Sequence, residues 1–203
     1  MKSILESYPN CPRCLKGRSE EVLLKMWDIP LEIYYKELQN HLPEAVSKFK
    51  FSPKKEGVEH IALKLYAYSH YATIRDFTNL PVEIEYETYK GYYLLDLLVK
   101  GLSHIPQQCL EIGIECLTKQ AFLEDEKVLH KKINKAHYHL KLEEITHYEL
   151  YFEPSIIMEP SLLSMIEKIG LFGEKIKCRM PERNFEVFMK NAKDLILKKG
   201  ASG

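Results

Sequence analysis

Asp96 is the residue around which chemistry can be built. It stands within Leu94-Leu95-Asp96-Leu97-Leu98, where an ionised carboxylate is costly to bury without a partner, a metal or strong hydrogen bonds. The next strand-like run carries Glu111 and Glu115 on one face, with Gly113 between them. Neighbouring strands lie about 4.8 Å apart and residues i and i+2 share a face, which directs Asp96 toward one or both glutamates. Carboxylates gathered that closely repel unless protonated or bridged by a cation. Oxygen-only donors suit Mg²⁺ or Mn²⁺, which polarise a phosphodiester and activate water. The plain alternative is that Asp96 bonds a turn and the glutamates face solvent.

Positive charge is grouped rather than spread. Residues 127–141 hold Lys127, Lys131, Lys132, Lys135 and Lys141 and no acid. On a helical wheel Lys127, Lys131 and Lys135 lie opposite an apolar stripe of Leu129, Ile133, Ala136 and Leu140, leaving a basic face for phosphates or for solvent. The loop at 48–55 adds Lys48, Lys50, Lys54 and Lys55, interleaved with Phe49 and Phe51. Lys54 and Lys55 extend the phosphate contacts, and the two rings either stack bases or join the core. Cys11-Pro12-Arg13-Cys14 has the spacing of half a zinc site. Its completion needs Cys178, His41, His60 or a second subunit; the alternative is a turn with two free thiols.

The chain has 203 residues, with 29 Lys and Arg balanced by 29 Asp and Glu. That balance excludes a protein coated wholesale in nucleic acid, but it hides local segregation. Residues 111–126 carry five acids and one lysine, and residues 143–153 carry four acids and no Lys or Arg. The five cysteines are an odd number, which fits a reducing compartment, the cytoplasm, better than a disulfide framework. No apolar run approaches the ~20 residues that cross a bilayer, and Met1-Lys2-Ser3-Ile4 does not read as a signal peptide. No membrane partner is expected.

The elements that must position these residues follow from periodicity. Val58, Ile61, Ala62, Leu65, Tyr68 and Ala72 recur at helical spacing over 57–77. Val82–Tyr86, Tyr92–Val99, Cys109–Leu117 and His147–Phe152 read as strands, with a helix over 123–142 between the last two. Helices are expected at 160–169 and 183–198, whereas 19–56 has no clear period. The order indicates an α/β fold with a mixed sheet of about four strands flanked by helices. Three regions result: an N-terminal element with the cysteine knuckle at 1–56, an α/β core at 57–153 and a helical C-terminal extension at 154–203. The extension is a candidate surface for a homodimer or a protein partner.

Helix, acidic strand, Asp-bearing strand and Glu-bearing strand in this order resemble the PD-(D/E)xK nucleases, and more narrowly the competence protein CoiA family. The pieces are Cys11-Pro12-Arg13-Cys14, Val58-Glu59-His60-Ile61-Ala62-Leu63-Lys64, Val82-Glu83-Ile84-Glu85-Tyr86, Leu95-Asp96-Leu97-Leu98 and Gly113-Ile114-Glu115-Cys116. The resemblance spans roughly 10–140. It implies a restriction-endonuclease-like fold and metal-dependent cleavage of DNA or RNA, with DNA the expected partner. Asp96 would hold the metal, Glu115 or Glu111 would be the second carboxylate, Glu59 an outer ligand, and Lys64 a phosphate contact. The family places Lys or Gln two residues after the strand glutamate. Here those positions are Gly113 and Leu117, so Lys64 or Lys119 must supply the cation. Without one, the chain is a degenerate nuclease that binds nucleic acid or docks a protein; a further reading is an interaction protein with structural carboxylates.

If Cys11 and Cys14 hold zinc, metal analysis of the purified protein returns near-stoichiometric Zn. A zinc-free preparation that is folded removes that site.

Overall fold

The computed structural model describes residues 30–51, 53–79, 81–101, 111–125, 127–142, 145–158, 160–161, 164, 175–181 and 185–201. Cys11 and Cys14 lie outside the described residues, as does most of the helix expected at 160–169. Two helices, α1 (Leu31–Asn40) and α2 (Leu42–Lys48), and a single turn, α3 (Pro53–Glu56), precede the long helix α4 (Val58–Thr78). Then come β1 (Glu83–Lys90), β2 (Tyr93–Lys100), β3 (Glu111–Leu117), α5 (Lys119–Glu124), α6 (Val128–Lys141) and β4 (His147–Phe152). A 3-10 turn (Pro154–Met158), β5 (Ile176–Arg179) and α7 (Phe185–Ala201) complete the order.

The protein is an α/β fold in which a mixed sheet of five strands, ordered β1-β2-β3-β4-β5, lies between helical layers. The pairs β1–β2 and β2–β3 are antiparallel, and β3–β4 and β4–β5 are parallel. A parallel step needs a crossover, and α5 with α6 supplies it between β3 and β4. The expected sheet of about four strands lacked β5. That strand has only four residues, too few for an alternation to register.

Helix α4 is buried from Ile61 to Ile74 on every side, the signature of a central helix rather than an amphipathic surface one. It packs on Leu97, Val99, Ile112, Ile114 and Cys116 of the sheet. On its other sides lie Tyr34, Tyr35 and Leu38 of α1, Leu42, Ala45 and Val46 of α2, and Phe185, Phe188, Ala192 and Ile196 of α7. The hydrophobic core therefore crosses both sequence boundaries, at 56 and at 153. Helix α7 closes this core, leaving Val187 and Leu197 exposed on its outside.

The opposite sheet face packs on Leu129, Ile133 and Ala136 of α6 and Phe122 of α5. These two helices replace the single helix expected over 123–142, and Thr118 explains the earlier start. Its side chain caps α5 by accepting the Ala121 N–H at 3.2 Å.

Between α4 and β4 the core is polar. The Tyr71 hydroxyl and Arg179 guanidinium each donate to Glu149 at 2.6 Å. The Tyr34 hydroxyl pairs with His70 Nδ1 at 2.7 Å. His70 is 1% exposed. Burial, aided by the Arg179 charge, pushes its pKa down to about 3, so the imidazole is neutral in the fold. An unfolded histidine titrates near 6.5. Between these values the unfolded chain binds the extra proton, and stability must fall as pH falls from about 6.5 toward 3. His70→Phe should flatten that dependence by about 1.4 kcal/mol per pH unit, read from urea unfolding midpoints across pH 4.5–6. An unaltered slope would show that His70 is not the group responsible.

Candidate functional site

Strand β2 loses its regular pleat at Asp96. Leu95 and Leu98 face α6, whereas Leu97 and Val99 face α4, so strict alternation fails between 95 and 97. The β1–β2 register carries the same break. It pairs Tyr86 with Leu97 and Thr88 with Leu95 but skips Glu87 and Asp96. Glu87 sits there at φ +47, a left-handed conformation that side chains avoid unless surroundings hold them.

Asp96 thereby turns toward the start of α4, with its side chain 13% exposed. Its Oδ2 accepts the Cys116 N–H at 2.8 Å and lies 3.4 Å from His60 Nε2. Lys64 Nζ is 3.2 Å from Oδ1, and Lys132 Nζ is 3.7 Å from Oδ2. Burial by itself would raise the Asp96 pKa, but Lys132, His60 and Lys64 outweigh it and hold the carboxyl well below the usual range. Burial and the Asp96 charge push the neighbouring Cys116 thiol up, which keeps it protonated.

Lys64 is 2% exposed and pairs with Glu56 and, at 2.8 Å, with Glu87, beside Asp96. Its Nζ lies 5.1 Å from the Tyr86 ring centroid. Burial opposes its charge, but the surrounding acids and Tyr86 prevail and its pKa is raised. Glu115 faces the other side of the sheet, where it pairs with Lys132 and Lys135 of α6. Lys132 touches both Glu115 and Asp96 and so joins the two halves of the site. Four carboxylates (Glu56, Glu87, Asp96, Glu115) meet three ammoniums (Lys64, Lys132, Lys135).

The expected residues separate accordingly. Asp96 and Lys64 meet, whereas Asp96 and Glu115 approach from opposite faces with Lys132 between them. Glu111 lies at the far end of β3, opposite Lys100 and about 13 Å along the strand from Glu115. Glu59 turns to α7 and pairs with Lys193 at 2.8 Å, which chiefly lowers its pKa. Successive helical residues point about 100° apart, so Glu59 cannot share the face of His60 and Lys64. Lys119 begins α5 instead of extending β3, and its backbone N–H donates to Glu153 at 3.0 Å. Lys127, just before α6, and Lys131 within it are exposed, Lys131 with Asp125 at 2.6 Å, but Lys135 turns inward to Glu115. Lys55 is exposed at the cleft rim, and Lys54 precedes it in α3.

The positions two residues after the strand glutamates are filled by packing. A Cβ on Gly113 would meet Ile145 Cδ1 at 2.9 Å and the Tyr148 ring at 3.2 Å, and Leu117 is buried against α6. Neither can present a cation. Lys64 and Lys132 reach Asp96 from the two helical layers instead.

Glu56 and Lys132 were not anticipated. Glu56, His60 and Asp96 each offer a ligand atom, and these atoms lie within 4.8 Å of one another. One nitrogen and two carboxylate oxygens fit a divalent ion, Mn²⁺ better than Mg²⁺. Lys132 was legible only as one of five lysines; it lies about 60° from the Leu129 stripe, near enough for its long stem to reach inward. The cleft at Asp96 has a volume of about 520 Å³ and is lined by Lys50, Phe51, Lys55, Glu56, His60, Lys64, Glu87 and Leu94.

Replacing Lys64 with Met should cost about 3–5 kcal/mol in denaturant unfolding at pH 7, because three carboxylates lose their shared cation. Adding Glu56→Gln should recover part of that loss. An unchanged midpoint in Lys64→Met would mean that the ammonium does not hold them.

Compared with known proteins, the chain matches no family model, no curated protein and no solved structure.

Proposed function

We propose that this protein is a metal-dependent phosphodiesterase of the PD-(D/E)xK kind, acting on nucleic acid in the Asp96 cleft. The observation that carries this reading is the Asp96 carboxylate, seated at a break in β2 beside two further ligand side chains and two lysines. Asp96, Glu56 and His60 would hold the ion, with Glu115 kept behind them by Lys132 and Lys135. A divalent ion bound there supplies Lewis acidity toward a phosphodiester. Lys64 and Lys132 sit where negative charge would grow on the reacting phosphate, and their raised pKa values keep both cationic at neutral pH. Lys50 and Lys55, exposed at the rim, attract the flanking phosphates.

A second reading rests on a specific observation. Both Asp96 and Glu115 are already ion-paired with lysines, as they would be in a degenerate module that binds nucleic acid without cutting it.

Cleavage of single- and double-stranded DNA and RNA with Mn²⁺ or Mg²⁺ separates the two. A phosphodiesterase should work faster with Mn²⁺, and Asp96→Asn should slow it on the order of a thousandfold. Glu56→Gln should impair it far more than Glu59→Gln. Absence of cleavage by the folded, metal-supplied protein on every substrate would favour the binding module.

A further inference from the structure

The tip of the β1–β2 hairpin carries aromatic surface that the core does not use. Lys90 pairs with Tyr93 and Tyr89 with Leu94 across a two-residue turn of Gly91 and Tyr92. Gly91 takes φ +55 there, the conformation that lets so short a turn follow the strand twist. Tyr92 is 87% exposed, Tyr89 70% and Tyr93 41%. Single exposed apolar residues are ordinary, but three large rings in five residues form a patch.

The two faces of the hairpin are not equivalent. Tyr93 leans on α6, its ring 5.1 Å from that of Tyr138. Tyr89 lies directly across from Leu94, and Leu94 lines the cleft that holds Asp96. Cross-strand partners share a face, so Tyr89 stands on the cleft side and Tyr92 at the tip beyond it. Lys50, Phe51 and Lys55 line the same cleft as Leu94. Of the acids on β1, Glu85 pairs with Lys100 and Glu87 with Lys64, and Glu83 lies at the end of the hairpin away from the turn, opposite Lys100.

From this arrangement we infer that Tyr89 and Tyr92 form a base-stacking platform that feeds single-stranded nucleic acid into the Asp96 cleft. Unpaired bases offer their faces to aromatic rings, whereas a duplex hides them within its stack. Tyrosine suits the task because it brings a large flat surface with few rotatable bonds. The lysines at the rim meet the phosphates that follow the stacked bases. The inference rests on the nucleic-acid reading of the cleft and adds strandedness and the residues that select it.

Fluorescence anisotropy with labelled oligothymidine, oligouridine and a DNA duplex, in EDTA to prevent cleavage, tests it. Tyr89→Ala and Tyr92→Ala should each weaken single-strand binding about tenfold, leave duplex binding unchanged and keep the wild-type unfolding midpoint. Tyr89→Phe and Tyr92→Phe should bind as the wild type does. The two single-strand arms tell DNA from RNA. Wild-type affinity in the alanine variants, or equal weakening toward duplex, overturns the platform while leaving the cleft's hydrolysis reading intact. Tyrosine-dependent binding by a protein that never cleaves sustains the platform and removes the hydrolase. Failure to bind any of the three nucleic acids overturns both. Self-association that disappears in Tyr92→Ala without any change in oligonucleotide affinity assigns the tip to a second copy of the chain and overturns the platform.

Discussion

The Lys64 side chain is almost wholly buried beneath the Asp96 cleft, because α4 is packed on all sides where Lys64 projects from it. A charge in that position is tolerable only with acids around it, and the chain brings them from three separate segments. Glu56 arrives from α3, Glu87 from β1 and Asp96 from β2. Two backbone positions accommodate the meeting. Gly57, at φ +78, separates α3 from α4, and Glu87 accepts a left-handed conformation. Local strain of this type persists where surrounding contacts over-determine it; here one buried cation provides several of those contacts.

The sheet separates this cluster from a second one without isolating it. Lys64 comes from the α4 layer and Lys132 with Lys135 from the α6 layer, and both sets converge where β2 abandons its pleat. The charges of these two clusters thus largely neutralise one another. Any added cation competes with ammoniums for the same oxygens. Ion affinity and fold stability are therefore drawn from one set of carboxylates, a linkage common where binding groups also hold the structure together.

Periodicity located α4 to within a residue of its ends and found β1 to β4, because a long helical stripe and alternating strands leave strong patterns. It did not resolve α1 and α2, where Pro43 looks like an interruption but occupies the first turn of α2. Asp96 was legible because a lone acid in an apolar run is anomalous whatever the fold. Its partners were not. Pairing it with Glu115 assumed an unbroken pleat, and the break at Glu87 and Asp96 turns the two side chains to opposite faces. Glu59 and Glu56 illustrate the same limit at the junction of α3 and α4: three residues along the chain decide whether a carboxylate meets Lys193 or Lys64.

Strand β1 is an edge of the sheet, and an edge exposes a row of backbone donors and acceptors to any passing strand. A straight, apolar edge would invite another chain to continue the ladder. Here the left-handed residue at Glu87 interrupts the edge near its middle, and Glu83, Glu85 and Lys90 place charge along it. An incoming strand would find an interrupted register and charged side chains along most of the edge. The distortion that turns Asp96 toward α4 also guards the protein against edge-to-edge aggregation.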